Sequence, residues 1–314
     1  MKRFAVWFSL VALAAAMAPG VVVKLRAQGA TTVALDVFVE DRGEAVAGLT
    51  AQSFRVYENG EARKVVRAEP AGPASIVILV ENSLHSWRFL NDVRSAMRGF
   101  LKAVPEGAGH SYALVTYEQQ PVVEESLTQE IGRIEAAFAD VKQSAWGRTD
   151  TYDAIYRVVD EMETLPGRRV LLFVGFGYDA FSRHTLGELQ RKIEASNLQV
   201  YGVATGSDLR RLQQIYPDRP EPLDLRHGEM LIRMMARRSG GKWFCPSCEA
   251  DYIDSMRDTM ATIDRQYRIE YERGEALDPG FYKLKIEAFR IVGDVRTDFK
   301  VLARDGWRVE NAGR

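Results

Sequence analysis

The central part of the chain alternates apolar segments of strand length with segments whose apolar residues recur at helical spacing. Residues 75–80 and 170–174 are apolar almost throughout, as expected for strands that are covered on both faces. Helical spacing runs from Phe89 to Val104, from Ile131 to Val141 and from Tyr152 to Met162. This alternation predicts an α/β fold, in which a doubly wound, mostly parallel, Rossmann-like sheet carries helices on both faces.

A ligand-binding edge follows from that fold class. In doubly wound sheets, ligands bind beyond the carboxyl ends of the strands. The residues of interest therefore follow Val80 and Val174 or lie around Thr149.

Both ends of the chain have the two-residue period of half-buried strands instead. The alternating residues are Val33, Leu35, Val37 and Val39 near the start, and Tyr267, Ile269, Tyr271, Tyr282, Leu284, Ile286 and Ala288 near the end. Asn59-Gly60 is a hairpin signal, because both residues tolerate positive φ. We expect residues 29–71 and 266–308 to form one small β-sandwich, with residues 72–265 inserted as a separate domain. The alternative is two small β-units that pack separately on that domain.

The first residues resemble an export signal. Lys2 and Arg3 precede an apolar run over residues 4–18, which predicts that residues 1–28 are a signal peptide. Since apolar character resumes through Val23, an uncleaved N-terminal anchor is the alternative, and it is the sole membrane contact that we expect. Either outcome predicts an exported protein, in the periplasm, at the cell surface or secreted. The formal net charge of −1 gives no electrostatic reason to expect a nucleic-acid partner.

Several short motifs, in a fixed order, carry a resemblance to a known family. They lie at residues 46–50, 54–60, 147–154, 239–242, 266–267 and 304–307. On these motifs and the order of elements, the chain resembles bacterial secreted proteins with a von Willebrand factor type A-related domain. The resemblance covers nearly all of the chain beyond the signal.

The resemblance implies a metal-ion-dependent adhesion site at the strand ends. Its pattern is an Asp-x-Ser-x-Ser turn, a distant Thr and a distant Asp, whose oxygens suit magnesium. In this sequence Glu81 stands at the first Asp, His85 replaces the second Ser, and Phe176 replaces the distant Asp. The candidate metal ligands are Glu81, Ser83, His85, Thr149 and Asp179.

These replacements predict a degenerate site. Neutral imidazole is a poor ligand for magnesium, and Phe176 offers no ligand at all. We therefore expect no cofactor, with magnesium binding as the alternative. Zinc bound by Glu81 and His85 is a weaker alternative, because two ligands do not make a site.

A degenerate site leaves the strand-end loops as a contact surface for a protein partner whose identity the sequence does not give. The partner-binding positions that we predict are Asn82, Leu84, Ser86, Asp150, Phe176 and Gly177. The expected function is that of a non-enzymatic binding or adhesion module. A purely structural component of the cell envelope is an alternative.

Cys245 and Cys248 form a Cys-x-x-Cys pair. In an oxidising compartment this spacing predicts a local disulfide bond. The same spacing occurs in redox motifs, so a periplasmic thiol–disulfide redox protein is a further alternative. The surrounding sequence lacks a thioredoxin-like pattern, which favours the structural disulfide.

Overall fold

The structure is a computed structural model, in which residues 31–83, 89–142, 149–207, 211, 215, 225–273 and 278–310 are described. The predicted signal or anchor at residues 1–28 lies outside the described residues. Among the helices of the described part, none is long and apolar enough to cross a membrane.

Strands and helices are numbered in chain order. The strands are β1 (Thr31–Asp41), β2 (Glu44–Ala45), β3 (Phe54–Glu58), β4 (Glu61–Arg63), β5 (Val65–Pro70), β6 (Ala74–Glu81), β7 (Ser111–Tyr117), β8 (Pro121–Thr128), β9 (Arg168–Gly175), β10 (Gln199–Ala204), β11 (Trp243–Phe244), β12 (Tyr267–Arg273), β13 (Gly280–Val292), β14 (Val295–Leu302) and β15 (Gly306–Val309). The helices are α1 (Leu90–Ala103), α2 (Ile131–Asp140), α3 (Thr151–Met162), α4 (Leu186–Ala195), α5 (Leu225–Ser239) and α6 (Glu249–Asp264).

A six-stranded sheet forms the centre of the α/β domain, in the order β11-β10-β9-β6-β7-β8. Adjacent strands are parallel except for β8, which pairs with β7 in the antiparallel direction. Counted from β6, this is the 3-2-1-4-5-6 order of a doubly wound sheet. The mostly parallel α/β domain predicted from the sequence is therefore present, with β8 as an antiparallel edge strand that the sequence analysis did not predict.

Two apolar layers cover this sheet, one on each face. Along β6, Val77 and Leu79 face the layer that contains α3, α4 and α5, whereas Ile76 and Ile78 face the layer of α1 and α6. Every residue of β6 is buried. Burial on both faces explains why its sequence is continuously apolar instead of alternating.

The strands from both ends of the chain form a second, nine-stranded sheet, which we call the β-module. Its order is β4-β3-β13-β14-β1-β12-β5, with β15 paired to β13 and β2 paired to β1. The long strand β1 pairs with β12 through its first residues and with β14 through its last. Because β1 pairs with strands of both halves, the hydrogen bonds form one continuous sheet. The packing of two layers as a sandwich stays a prediction.

The β-module contacts the α/β domain where the parallel strands begin. Arg168, the first residue of β9, forms an ion pair with Asp36 of β1 at 3.4 Å. It also donates hydrogen bonds to the carbonyls of Gly72 (2.7 Å) and Ile263 (3.0 Å), which lie outside the module. Gln199, the first residue of β10, donates through Nε2 to the Asp36 carbonyl. The carboxyl ends of these strands, where the candidate ligands were predicted, consequently lie at the opposite edge of the sheet.

Candidate functional site

Three neighbouring strands end together at the carboxyl edge of the sheet. Glu81 closes β6 and is in register with Tyr117, which closes β7. On the other side of β6, Val80 is in register with Val174, so that β9 ends one residue later at Gly175. The parallel register therefore brings the predicted ligand Glu81 next to the turn that follows β9.

The carboxyl group of Glu81 is hydrogen-bonded on both oxygens. Oε2 accepts from the backbone N–H groups of Phe176 (2.7 Å) and Gly177 (2.9 Å), and it lies 3.4 Å from the Tyr117 hydroxyl, which donates to it. Oε1 accepts from the Ser83 hydroxyl at 3.0 Å. The residue is only 2% exposed. Burial raises the pKa of Glu81 above its usual value, and the hydrogen bonds from these partners oppose that rise.

Glycines allow the backbone to approach Glu81 this closely. A Cβ atom at Gly175 would lie 2.7 Å from the Cβ of Glu81, nearer than side-chain atoms normally come. Gly177 has a φ of +77°, a conformation that side chains disfavour. On its other side, Gly177 packs against Gly228 of α5, where a Cβ would lie 2.0 Å from the Phe176 carbonyl oxygen. The turn after β9 is thus held between the Glu81 carboxyl group and α5.

A second line of contacts leads from Glu81 to the start of α3. The Tyr117 hydroxyl lies 3.3 Å from Oγ1 of Thr151, which donates to the carbonyl of Tyr178 at 2.5 Å. Burial is the main reason why the pKa of Tyr117 lies well above its usual value, and the nearby Glu81 carboxyl group adds to the effect. Thr149 is fully buried, and its hydroxyl has no hydrogen-bond partner among the described residues.

Asp179, the acidic residue nearest in sequence to the missing ligand, is engaged with α3. Its Oδ1 accepts from the backbone N–H of Tyr152 (3.0 Å) and from the Ser182 hydroxyl (2.5 Å). The predicted ligand therefore caps the first turn of α3, where the unpaired N–H groups of a helix favour a carboxylate.

Asp153 of α3 makes the reciprocal contact. Its carboxylate accepts from the backbone N–H groups of Arg183 (3.0 Å) and His184 (2.9 Å) and pairs with Nδ1 of His184 at 2.7 Å. Burial alone would raise the pKa of Asp153, but these hydrogen bonds hold it below its usual value. Together, Asp153 and Asp179 fasten the start of α3 to the loop that follows β9.

Comparisons with known proteins gave matches among solved structures. No protein-family model and no curated protein matches the sequence. The chain is similar to a von Willebrand factor type A structure from Catenulispora acidiphila, with 12% identity and a TM-score of 0.45 over 91% of this chain and 75% of that one. It is also similar to an aerotolerance-related membrane protein from Bacteroides fragilis, with 14% identity and a TM-score of 0.44 over 60% of this chain and 99% of that one.

A third similar structure is proximal thread matrix protein 1 from the mussel byssus, with a zinc-occupied metal-ion-dependent adhesion site. The identity is 15% and the TM-score 0.45, over 64% of this chain and 48% of that one, so this chain spans about half of that protein. These similarities transfer no ligand, partner or activity to this chain. The α/β domain is von Willebrand factor type A-like. Its strands have the order and direction of a doubly wound sheet with one antiparallel edge strand.

The predicted partner-binding residues of the von Willebrand factor A-like domain have different environments. Phe176 and Gly177 are buried, and the Phe176 ring stacks on Phe89 with 5.4 Å between ring centroids. Asp150 is buried at the start of α3. These three residues are buried beneath the loops, and their role in binding a partner stays a prediction.

The remaining predicted loop residues lie just before residues 84–88, which are not described, or among them. Asn82 is half-buried and donates through Nδ2 to the Lys142 carbonyl at 2.9 Å. Leu84, Ser86 and the candidate ligand His85 lie outside the described residues. Among the residues that are described, no group of three or more His, Cys, Asp or Glu side chains is placed to hold a metal ion.

The structure does not join Cys245 and Cys248 by a disulfide bond, and that pairing stays a prediction. Cys245 is half-buried and packs against the apolar layer of α3, α4 and α5, whereas Cys248 is exposed at the N-cap of α6. The two side chains therefore face different surroundings although only Pro246 and Ser247 separate them.

Sequence analysis missed three residues that shape this edge. Tyr117 bonds to Glu81, Asp153 fastens the loop after β9, and Gly228 permits the close approach of α5. The position of Tyr117 at the end of an apolar strand was a usable signal, because polar groups at strand ends meet at this edge. Gly228 gave no such signal, since its role depends on a contact distant in sequence.

Proposed function

We propose that the protein is an exported, non-enzymatic binding module that contacts a protein partner through the loops at the carboxyl edge of its α/β domain, without a bridging metal ion. The observation that carries this proposal is the state of Glu81. Its carboxyl group accepts hydrogen bonds from the two main-chain amides after β9. The resemblance to von Willebrand factor type A domains implies instead that the residue at this position binds a metal ion.

The arrangement does not fit a divalent cation. Magnesium and calcium take about six or more oxygen ligands, supplied by carboxylates, hydroxyls and water. Glu81 is engaged with main-chain amides, Ser83 donates to Glu81, and Asp179 caps α3. In the described residues, the hydroxyl of Thr149 is the one predicted ligand without a hydrogen bond. One uncommitted oxygen cannot replace the hydration shell of a dication.

The same contacts favour binding over catalysis. A general base must reach a substrate proton within hydrogen-bond distance. The carboxyl groups of Glu81, Asp153 and Asp179 are each engaged with main-chain N–H groups. Such bonds fix the loops in position, which suits a preorganised contact surface.

The placement of the β-module supports a spacer role for it. The module contacts the beginnings of β9 and β10 through Asp36, so it leaves the carboxyl edge uncovered.

Site-specific photo-crosslinking in the producing cells tests the proposal. A photoreactive amino acid would replace Phe181, which is 56% exposed in the loop after β9, and in a control variant Val66, which is 39% exposed on β5. We expect a discrete protein adduct from the first position that persists when divalent cations are chelated. The control position should not give that adduct.

Two outcomes would overturn the proposal. An adduct that disappears on chelation would indicate a metal-bridged contact. The absence of any adduct specific to position 181 would favour the alternative of a structural envelope component.

A further inference from the structure

A cavity of about 260 Å³ opens beside the carboxyl edge, between the end of β6, the first turns of α1 and the end of α2. Apolar and polar groups contribute about equally to its lining. The apolar residues that line it are Val80, Leu90, Val93, Phe138, Ala139 and Val141. The charged residue at the cavity that is exposed to solvent is Arg94.

The sequence of α1 directs these groups to one place. Leu90, Val93 and Arg94 are three and four residues apart, so their side chains lie on one face of the helix. The opposite wall is fixed by Asn82, which bonds to the Lys142 carbonyl just beyond α2. The cavity is therefore held by regular elements and one cross-link between them.

The guanidinium of Arg94 lacks an ion pair within the described part of the chain, in contrast to its neighbour one turn later. Arg98 pairs with Glu249 of α6. The other ionisable group at the cavity is Glu81, whose oxygens are already occupied by N–H and O–H donors. A positive charge beside apolar side chains such as Val93 and Phe138 favours a ligand with an apolar group and a carboxylate.

Size narrows the class of ligand further. Cavities that bind whole cofactors or drug-sized molecules are roughly 300–1,000 Å³, and this one is smaller. Because Arg94 itself lines the cavity, the carboxylate and the apolar group must belong to the same residue. In a protein, a chain-terminal apolar amino acid meets that condition.

We infer that this cavity binds the C-terminal residue of a partner protein, with its apolar side chain against Val93 and Phe138 and its terminal carboxylate on Arg94. The inference rests on the proposed binding role, since it names the chemistry of the partner that the module recognises. Guanidinium groups bind carboxylates through two parallel hydrogen bonds, which gives the contact its selectivity for an acid over an amide.

The test uses N-acetyl-leucine, which has the apolar body and the carboxylate, and N-acetyl-leucinamide, which lacks the charge. Binding to the full protein would be measured by ligand-observed NMR titration. We expect the acid to bind with a Kd on the order of millimolar and the amide about tenfold more weakly. Arg94→Gln should weaken binding of the acid about tenfold, and Arg98→Gln, which alters the paired arginine of the same helix, should leave it unchanged.

Equal binding of acid and amide, unchanged binding by Arg94→Gln, or no binding of either compound would overturn the inference. An Ala139→Trp variant, with a large side chain at the wall, gives a check that does not alter the charge and should also reduce binding of the acid. These results are separate from the crosslinking experiment. If the acid does not bind the cavity but a metal-independent adduct forms at position 181, the cavity assignment is wrong and the proposed binding role is still supported.

Discussion

The two edges of the six-stranded sheet each bury an ionisable side chain that bonds to the main chain, and they use it differently. At the carboxyl edge, Glu81 accepts hydrogen bonds from Phe176 and Gly177 of the same domain. At the amino edge, Arg168 donates to the carbonyls of Gly72 and of Ile263 in α6, and it forms an ion pair with Asp36 of the β-module. The first contact shapes a loop surface, whereas the second joins two parts of the chain.

The carboxyl edge is free of the β-module, whereas the module covers the amino edge. At the carboxyl edge, the main-chain N–H groups of the turn after β9 bond to a buried acid of the same domain. Carbonyl groups at the amino edge require buried donors, and the arginine that supplies them bridges the domain to the module. The difference predicts distinct consequences for substitutions at the two edges.

The largest effect is expected from Arg168→Met. This change leaves two carbonyls without their donor and removes the guanidinium from Asp36, with which it forms an ion pair of 3.4 Å. We expect a loss of about 3–5 kcal/mol in the free energy of unfolding, measured with urea. Arg67→Met, on the exposed surface of the β-module, should cost less than about 1 kcal/mol. Equal losses of unfolding free energy in both variants would show that Arg168 does not stabilise the contact between the α/β domain and the β-module.

Glu81→Ala should have the next largest effect. It leaves the buried N–H groups of Phe176 and Gly177 without an acceptor, at a cost of about 2–4 kcal/mol in unfolding free energy. The exposed Glu135 of α2 is the matched control, and Glu135→Ala should change stability by less than about 0.5 kcal/mol. A near-neutral Glu81→Ala variant would contradict the structural role given to this carboxyl group.

The smallest expected effect is a change in how the free energy of unfolding depends on pH in the Glu81→Gln variant. Because the folded protein raises the pKa of Glu81, it holds the proton to a higher pH than the unfolded chain does. The stabilisation that comes from holding this proton is fully present below pH 4.5, the ordinary pKa of the group. It is lost as the pH rises through the higher pKa that Glu81 has in the folded protein. Wild-type stability should therefore fall relative to Glu81→Gln as the pH rises above 4.5. Urea unfolding of both proteins at several pH values measures this difference, and parallel curves would refute it.

Much of the α/β domain was predictable from the sequence because its signals are local. The apolar runs at β6 and β9 and the helical spacing of α1 and α3 depend on burial alone. The topology of the β-module was harder, since β1 pairs with strands more than two hundred residues away. The alternation of apolar side chains along β1 does not indicate that this strand pairs with both β12 and β14.

The candidate site was predictable in position but not in chemistry. Strand order brings Glu81, Thr149 and the turn after β9 to one edge, as the sequence indicated. The extra methylene of Glu81 gave no indication that the carboxyl group would bind the amides of that turn. Similarly, Asp179 is a capping residue only because α3 begins beside it, a contact between segments that the sequence does not reveal.

Calorimetric titration of the purified protein with magnesium and manganese, alongside a Thr149→Ala variant, tests the central claim most directly. If the Glu81 carboxyl group takes the place of the ion in holding the turn after β9, neither protein should show saturable heat. Saturable binding by the wild type that Thr149→Ala abolishes would contradict the account. It would mean that Glu81 releases the amides of Phe176 and Gly177 to bind a cation.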